Sequence, residues 1–350
     1  DNDFIVQSYG TPLNPTYGLV TPTISAGYYD SLEGLSGNAL KQAVQDIIAN
    51  PAVVRAHNYG DIEFILKEAD KNPLNSNQVW QMYVESPKPF LDYQTGSSNI
   101  GVWNREHIFP QSRGGFSGGT SSTADGIGVW LPTNADDILS GHADAHHLRA
   151  EDGAENSTRS NRDYGSDYNV PIGSQVSWNG DVSIALFYMA VRYNGLNLVN
   201  GNPSDAIVGQ IGDLATLLTW NTTDPRDDFE MNRNNYIYTW QMNRNPFIDY
   251  PNLADYIFGA NFGQQWFSTL STQNPIENRV VVYPNPASEY LIVSGLEGSS
   301  KVEIYTITGQ LVQSQDFNNE IHINLDLHVG MYLVKVTNGS QSTTKKIIVK

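Results

Sequence analysis

Cysteine is absent from the 350 residues, which excludes disulfide staples, thiolate metal ligands and a cysteine nucleophile. That absence fits a cytosolic protein, and equally an exported one large enough to be stable without cross-links. No apolar run approaches the roughly 18–20 residues of a membrane span. The chain opens on DNDFIVQSYG, without a basic-then-apolar leader, as a processed secreted protein also would. Positive charge is scarce: 20 Lys and Arg face 37 Asp and Glu, for a net charge of −17 and a pI near 4.6. This balance argues against a protein that coats nucleic acid electrostatically. Lysine is missing altogether between Lys88 and Lys301, where ten arginines occur. Arginine offers a rigid fork matched to carboxylate or phosphate oxygens, so internal ion pairing and phosphate contact both remain open for these residues.

Apolar material is plentiful, at 39% of residues with 7 Trp, 19 Tyr and 12 Phe. The length predicts one large and one small domain, each with a core of its own. Residues 1–27, rich in Pro, Thr and Gly, read as an extended lead-in. Helical spacing of Leu40, Val44, Ile47 and Ile48 predicts a helix over 38–50 that stops before Pro51. A second helix is predicted at 61–70, and the alternating VWQMYV at 79–84 reads as a strand. Residues 114–128 form a Gly/Ser/Thr-dense loop. DVSIALFYMAVRYNG (181–195) is apolar all round, which predicts a buried central helix, capped by Asp181 and ended by Gly195. Helices at 211–220 and 229–243 follow, then a loop, NPFIDYP. Beyond a linker at 271–278 the pattern becomes short alternating β runs split by Gly, Asn and Ser turns, the signature of a small antiparallel sandwich over 279–350.

Four of the seven histidines, His107, His142, His146 and His147, lie in two windows, NREHIFP and GHADAHHLRAEDGAENSTRSNRDY. HADAHH could supply nitrogen and oxygen ligands to zinc, although no HExxH pattern occurs. A hard cation such as Mg²⁺ suits the composition better. It takes one or two protein oxygens and fills the rest with water and phosphate, leaving an imidazole free as a base. Glu106, His107 and an asparagine of NSTRSN are suitable types for those roles. Adjacent strand residues point to opposite faces, so Glu106 and His107 could share a site only if the strand ends or bulges near Pro110.

WNREHIFPQS followed by ADAHHLRAEDGAENSTRSNRDYG resembles the bacterial endonuclease I family of ββα-metal nucleases. The resemblance runs on through FYMAVRYNG, LLTWNTTDPRDDFEMNRN and QMNRNPFIDYP, and covers roughly residues 28–260. It implies an α+β protein: a mainly helical nuclease domain (28–270) with an embedded ββα-metal motif. It further implies metal-dependent cleavage of DNA, and in many members RNA, to 5′-phosphate ends. By position, His107 matches the family's general base, with Glu106 and Asn156 matching the ligands of a single Mg²⁺, for which Ca²⁺ or Mn²⁺ are alternatives. The expected phosphate-gripping arginine has no counterpart about twenty residues after the histidine, where this chain has DGIGVW; Arg113, Arg159 and Arg162 are the candidates. Asp144 and His146 match a DxH element that supports the site from behind or is purely structural.

The C-terminal stretch, with VYPNPASEYLIVSG, VEIYTITGQLV and GMYLVKV, resembles the type A sorting domain of the Bacteroidetes type IX secretion system. That implies an immunoglobulin-like sandwich recognised by the secretion machinery, and a secreted or surface location after removal of an N-terminal signal peptide. Two other functions remain compatible with the residues: a non-catalytic DNA- or surface-binding protein on the same fold, and a metallohydrolase of other phosphoesters.

Overall fold

The helix Asn179–Arg192 is buried at every position from Gly180 to Arg192, and the N-terminal part of the chain is assembled around it. In the computed structural model, which describes residues 8–168, 170–268, 280–296, 298–338 and 341–350, Leu186, Phe187, Met189 and Val191 of this helix join a large core. Leu40, Val44 and Ile48 from the helix Gly37–Ile48 enter the same core, as do Phe247, Leu253 and Ile257 from near the end of the unit. A sequence that is apolar on all sides has no face to give to water, so its neighbours must enclose it.

Its ends differ from the sequence expectation. Asp181 is not the cap. The helix starts two residues earlier, and the Gly180 N–H donates to the Asp224 carboxylate at 2.8 Å. Glycine permits this approach, because a Cβ at 180 would lie 1.9 Å from the Asp224 carbonyl oxygen. Asp181 instead turns to Arg149, at 3.4 Å. At the other end the helix stops at Arg192, and Gly195 follows in the turn at φ +89°.

Two further expectations change. The strand expected at 79–84 is confined to Gln78–Gln81, since Glu85 adopts φ +50° and folds the chain back so that Ser86–Pro89 pairs with it. Within NPFIDYP, Pro246–Asp249 forms a helical turn: the Asn245 side chain accepts from the Phe247 N–H at 3.0 Å, and Pro246 takes the first position, where no N–H is needed. The later helices lie at Leu214–Thr223 and Asp228–Gln241.

Residues 8–27 of the lead-in hold no helix, yet they are tied down. The Asp228 carboxylate accepts from the N–H groups of Leu19 (3.2 Å) and Val20 (2.9 Å), and Asn235 accepts from Thr23 at 2.9 Å. A second apolar cluster places Ile62, Ile65 and Leu66 of the helix Tyr59–Ala69 against Trp103, Leu148, Ala150 and Ile237. That contact seats the β-hairpin described below.

The contacts divide the chain into two units, Asp1–Ser268 and Thr269–Lys350; the 271–278 linker expected from the sequence lies outside the described residues. The second unit is all-β. A three-stranded sheet (Ile321–Asn324, Tyr290–Ser294, Val281–Tyr283) and a four-stranded one (Leu311–Asn318, Ser299–Thr306, Gly330–Asn338, Gln341–Val349) are antiparallel throughout. Their alternate residues, including Leu291, Val293, Val302, Ile304, Val334 and Ile347, form one core, as period-two patterning requires.

The first unit also depends on one buried ion pair. Arg244 grips Asp249 with two bonds of 2.7 Å, and Tyr29 and Asn234 donate to the same carboxylate at 2.6 and 3.2 Å. Asp249→Ala leaves the guanidinium without its counter-charge and is expected to cost about 3–5 kcal/mol. Urea unfolding followed by tryptophan fluorescence reads this unit alone, because all 7 tryptophans precede residue 269. A loss below about 1 kcal/mol, the scale of an exposed pair, would contradict this assignment.

Candidate active site

Two strands distant in sequence, Trp103–His107 and Leu148–Asp152, pair antiparallel with Glu106 opposite Arg149 and His107 opposite Leu148. The second strand runs straight into the helix Gly153–Arg159, whose start is capped by the Asp152 carboxylate accepting from Ala154 (3.0 Å) and Glu155 (3.1 Å). A cleft of about 440 Å³ opens beside this hairpin, lined by Arg105, Glu106, His107, Gln111, Asn156, Asn161 and four serines. The register shows no bulge through His107, which is the last residue of its strand. Three consecutive residues of a regular strand can line one cleft only along the strand's edge, where its two faces meet. The strand therefore ends rather than bulges, and the cleft straddles that edge.

Glu106 is almost fully buried. Its Oε1 accepts from the Tyr83 hydroxyl at 2.9 Å and lies 3.5 Å from Arg159 Nη1. Burial pushes its pKa up to about 7, against the opposing pull of Arg159 and Tyr83. Tyr164 completes the wall, with its hydroxyl 2.6 Å from that of Tyr83.

His107 is fixed through both ring nitrogens. Nε2 lies 2.9 Å from the His142 carbonyl oxygen, and Nδ1 lies 3.1 Å from the Gln111 amide nitrogen. A carbonyl only accepts, so Nε2 carries the proton and Nδ1 keeps a lone pair. Burial holds the ring's pKa well below the usual histidine range, with His147 adding to the effect. His107 is thus a neutral imidazole, the form that can take up a proton. Its plane is within 8° of that of His142, at 5.6 Å, and the Tyr59 ring stacks on His142 at 4.2 Å.

Asn156 sits on the helix after the hairpin. Its Nδ2 donates to Asn104 Oδ1 at 2.8 Å and points towards the Arg105 carbonyl at 3.4 Å. With the nitrogen so engaged, Oδ1 is the atom left to act as a ligand. A carboxylate oxygen and an amide oxygen on one cleft form a donor set for a hard divalent cation. The residues present fit such an ion.

The zinc alternative finds no support in the fold. His142 Nδ1 accepts from Thr120, His146 Nε2 faces the Asn243 carbonyl, and His147 Nε2 faces that of Gly141. Among the described residues, the one three-acid group close enough to share an ion is Asp163, Asp167 and Asp205. A cation already stands there, since Arg113 reaches Asp163 at 2.9 Å and Asp205 at 3.2 Å.

The three arginine candidates are placed differently from one another. Arg113 is fully buried in that acidic group. Arg159 is fully buried and spends its donors on Glu106 and on the carbonyls of His107 (3.3 Å) and Ile108 (2.8 Å). Arg162 is half-buried and holds the carbonyls of Thr158 and Asp167. None of the three lines the cleft. Asp144 and His146 lie in the interior, where Asp144 accepts from the hydroxyls of Tyr188 (2.9 Å) and Tyr193 (3.0 Å) and from Gln241 (3.0 Å).

Sequence reasoning missed Tyr83, Tyr164, Gln111 and Tyr59. Their roles arise from the path of the chain, and only Gln111, four residues after His107, carried a local signal. Arg105 is the arginine that does line the cleft, and it was masked by its neighbours in NREH.

The Endonuclease I family pattern matches residues 36–178 and 174–252, and that of the secretion system C-terminal sorting domain matches residues 281–350. An extracellular ribonuclease of Bacillus amyloliquefaciens is 37% identical over 273 residues, which span 71% of this chain and 85% of the relative. Another, from Bacillus subtilis strain 168, is 36% identical over 252 residues, 66% of this chain and 78% of the relative. Membership in such a family implies a divalent metal ion. The chain belongs to the endonuclease I family of hydrolytic nucleases and carries a type IX secretion sorting tail.

Proposed function

We propose that the protein is a secreted, Mg²⁺-dependent endonuclease that hydrolyses DNA and RNA with little sequence preference, leaving 5′-phosphate ends. One observation carries the reading: the Glu106 carboxylate, the Asn156 amide and the neutral His107 ring open onto the same cleft. The two Bacillus relatives, both described as extracellular ribonucleases, support RNA as a substrate and export as the destination.

Glu106 and Asn156 would hold the cation, in a ββα-metal arrangement made by the hairpin and the helix Gly153–Arg159. Bound Mg²⁺ supplies a Lewis acid that offsets charge on the phosphoryl oxygens and the leaving 3′ oxygen. His107 Nδ1 takes a proton from the attacking water, which first displaces the Gln111 amide that donates to that nitrogen at 3.1 Å, while the Nε2–H on the His142 carbonyl keeps the ring aimed. Arg159 keeps the Glu106 carboxylate in place and pins the end of the strand through the carbonyls of His107 and Ile108. The domain plan follows: lead-in 1–27, nuclease 28–270, linker 271–278, and an immunoglobulin-like sorting sandwich over 279–350 that engages the type IX machinery.

His107→Ala is expected to lower supercoiled-plasmid nicking in Mg²⁺ by roughly 10²–10⁴-fold; near-wild-type nicking would sink the reading. Proton and metal compete for Glu106, whose carboxyl is held up at about 7, so ionisation and metal binding are lost together as pH falls. The acid limb of the pH–rate profile should therefore move to lower pH as Mg²⁺ is raised, whereas His107, already neutral, sets no limb near 7. A midpoint indifferent to Mg²⁺ would count against Glu106 as the ligand. In a host with type IX secretion, a chain stopped after Ser268 is expected to keep nuclease activity in lysates and lose it from the medium. Equal export with and without the tail would refute that role.

A further inference from the structure

We propose that Arg105 holds the substrate phosphate, its guanidinium fork donating to the non-bridging oxygens of the scissile phosphodiester. This rests on the nuclease reading of the same cleft and supplies the phosphate-binding group that reading lacks. Among the described residues Arg105 is the one arginine lining the cleft, and no carboxylate of those residues forms an ion pair with it. Arg113 and Arg159 are fully buried, and Arg162 is tied to its own loop. No lysine takes their place, since none lines the cleft among the described residues.

The guanidinium is held ready. It stacks 3.5 Å from the centre of the Tyr59 ring, and Nη1 donates to the Tyr59 carbonyl oxygen. Tyr59 is itself stacked on His142, whose carbonyl orients His107. Stacking fixes the plane of the fork, and one bond to a carbonyl leaves most of its five donors for a ligand. A planar, pre-oriented fork matches two oxygens of a phosphate.

Strand register divides the cleft into two sides. Arg105 and His107 are two apart on a regular strand and share one face, about 7 Å apart along it, whereas Asn104 and Glu106 share the other. Asn156 belongs with the second set, because its amide bonds Asn104. A phosphate lying across the strand's edge would then have the base and the fork on one side and the two metal-ligand oxygens on the other. The attacking water and the leaving oxygen must come from opposed directions, and this division of the cleft provides both.

The test uses the full chain as wild type, R105A, R105K and H107A. Cleavage of a fluorescein-labelled oligonucleotide gives kcat and KM over a Mg²⁺ titration. Anisotropy of the same oligonucleotide in EDTA, on H107A and on H107A combined with R105A, gives binding against salt. R105A should lower kcat/KM by roughly 10- to 100-fold, with the Mg²⁺ concentration for half-maximal rate unchanged. R105K should recover only part of the loss, and the log–log salt slope of binding should fall by about one when the arginine is removed. R105A within twofold of wild type overturns the proposal while leaving the nuclease reading intact. A loss that comes with a shifted Mg²⁺ requirement, or with a lowered tryptophan-fluorescence melting point, shows Arg105 to be a brace for the hairpin and also overturns it. If wild type and H107A cleave equally, the reading beneath fails and takes this proposal with it.

Discussion

A carboxylate taken almost entirely out of water sits at the end of the hairpin, and its neighbours are arranged to tolerate it. Burying Glu106 without compensation would cost several kcal/mol. The compensation comes from two directions: the Tyr83 hydroxyl at 2.9 Å and the Arg159 guanidinium at 3.5 Å. Arg159 lies three residues after Asn156 on one short helix. The turn that delivers the carboxylate's counter-charge therefore also delivers the amide that would share its ion. Because Arg159 also binds the carbonyls of His107 and Ile108, the same side chain fixes where the strand stops.

The strongly acidic composition does not conflict with a polyanionic substrate once the cations are located. Arg149 is enclosed by Asp70, Glu230 and Asp181, and Arg233 by Asp70 and the carbonyl of Ala145. Arg113, Arg159 and Arg244 are likewise paired with internal carboxylates, so half of the first unit's arginines contribute little long-range field. What remains for a ligand is local: one fork, hydroxyls and amides around a cleft. Affinity gained from few phosphate contacts depends only shallowly on salt.

Much of this was legible in the sequence, for identifiable reasons. Helices with strong periodicity, such as Gly37–Ile48, and the alternating strands of the C-terminal unit were readable because burial dictates their pattern. Glu106, His107 and Asn156 stood out because they were matched as an ordered set of motifs. Capping was misread at Asp181, since the group that satisfies the Gly180 N–H comes from Asp224, 44 residues on. The strand at 79–84 was overextended because nothing local announces the φ +50° turn at Glu85. Tyr83 reaches Glu106 through that same turn, which is why its role could not be read beforehand. Arginines were the hardest to assign, since a buried pair and a phosphate grip ask for the same side chain and differ only in what the fold places nearby.

The lysine-free stretch has a further consequence. Arg113, Arg159, Arg192, Arg233 and Arg244 are fully buried, where an ammonium would be prone to shed its proton, whereas a guanidinium stays charged. Between residues 88 and 301 the chain offers no side-chain amine, and no lysine lines the cleft, so no lysine there can form a Schiff base with a carbonyl compound. The positive charge of this region is therefore fixed: it does not titrate away where it is buried, and it offers no amine to aldehydes.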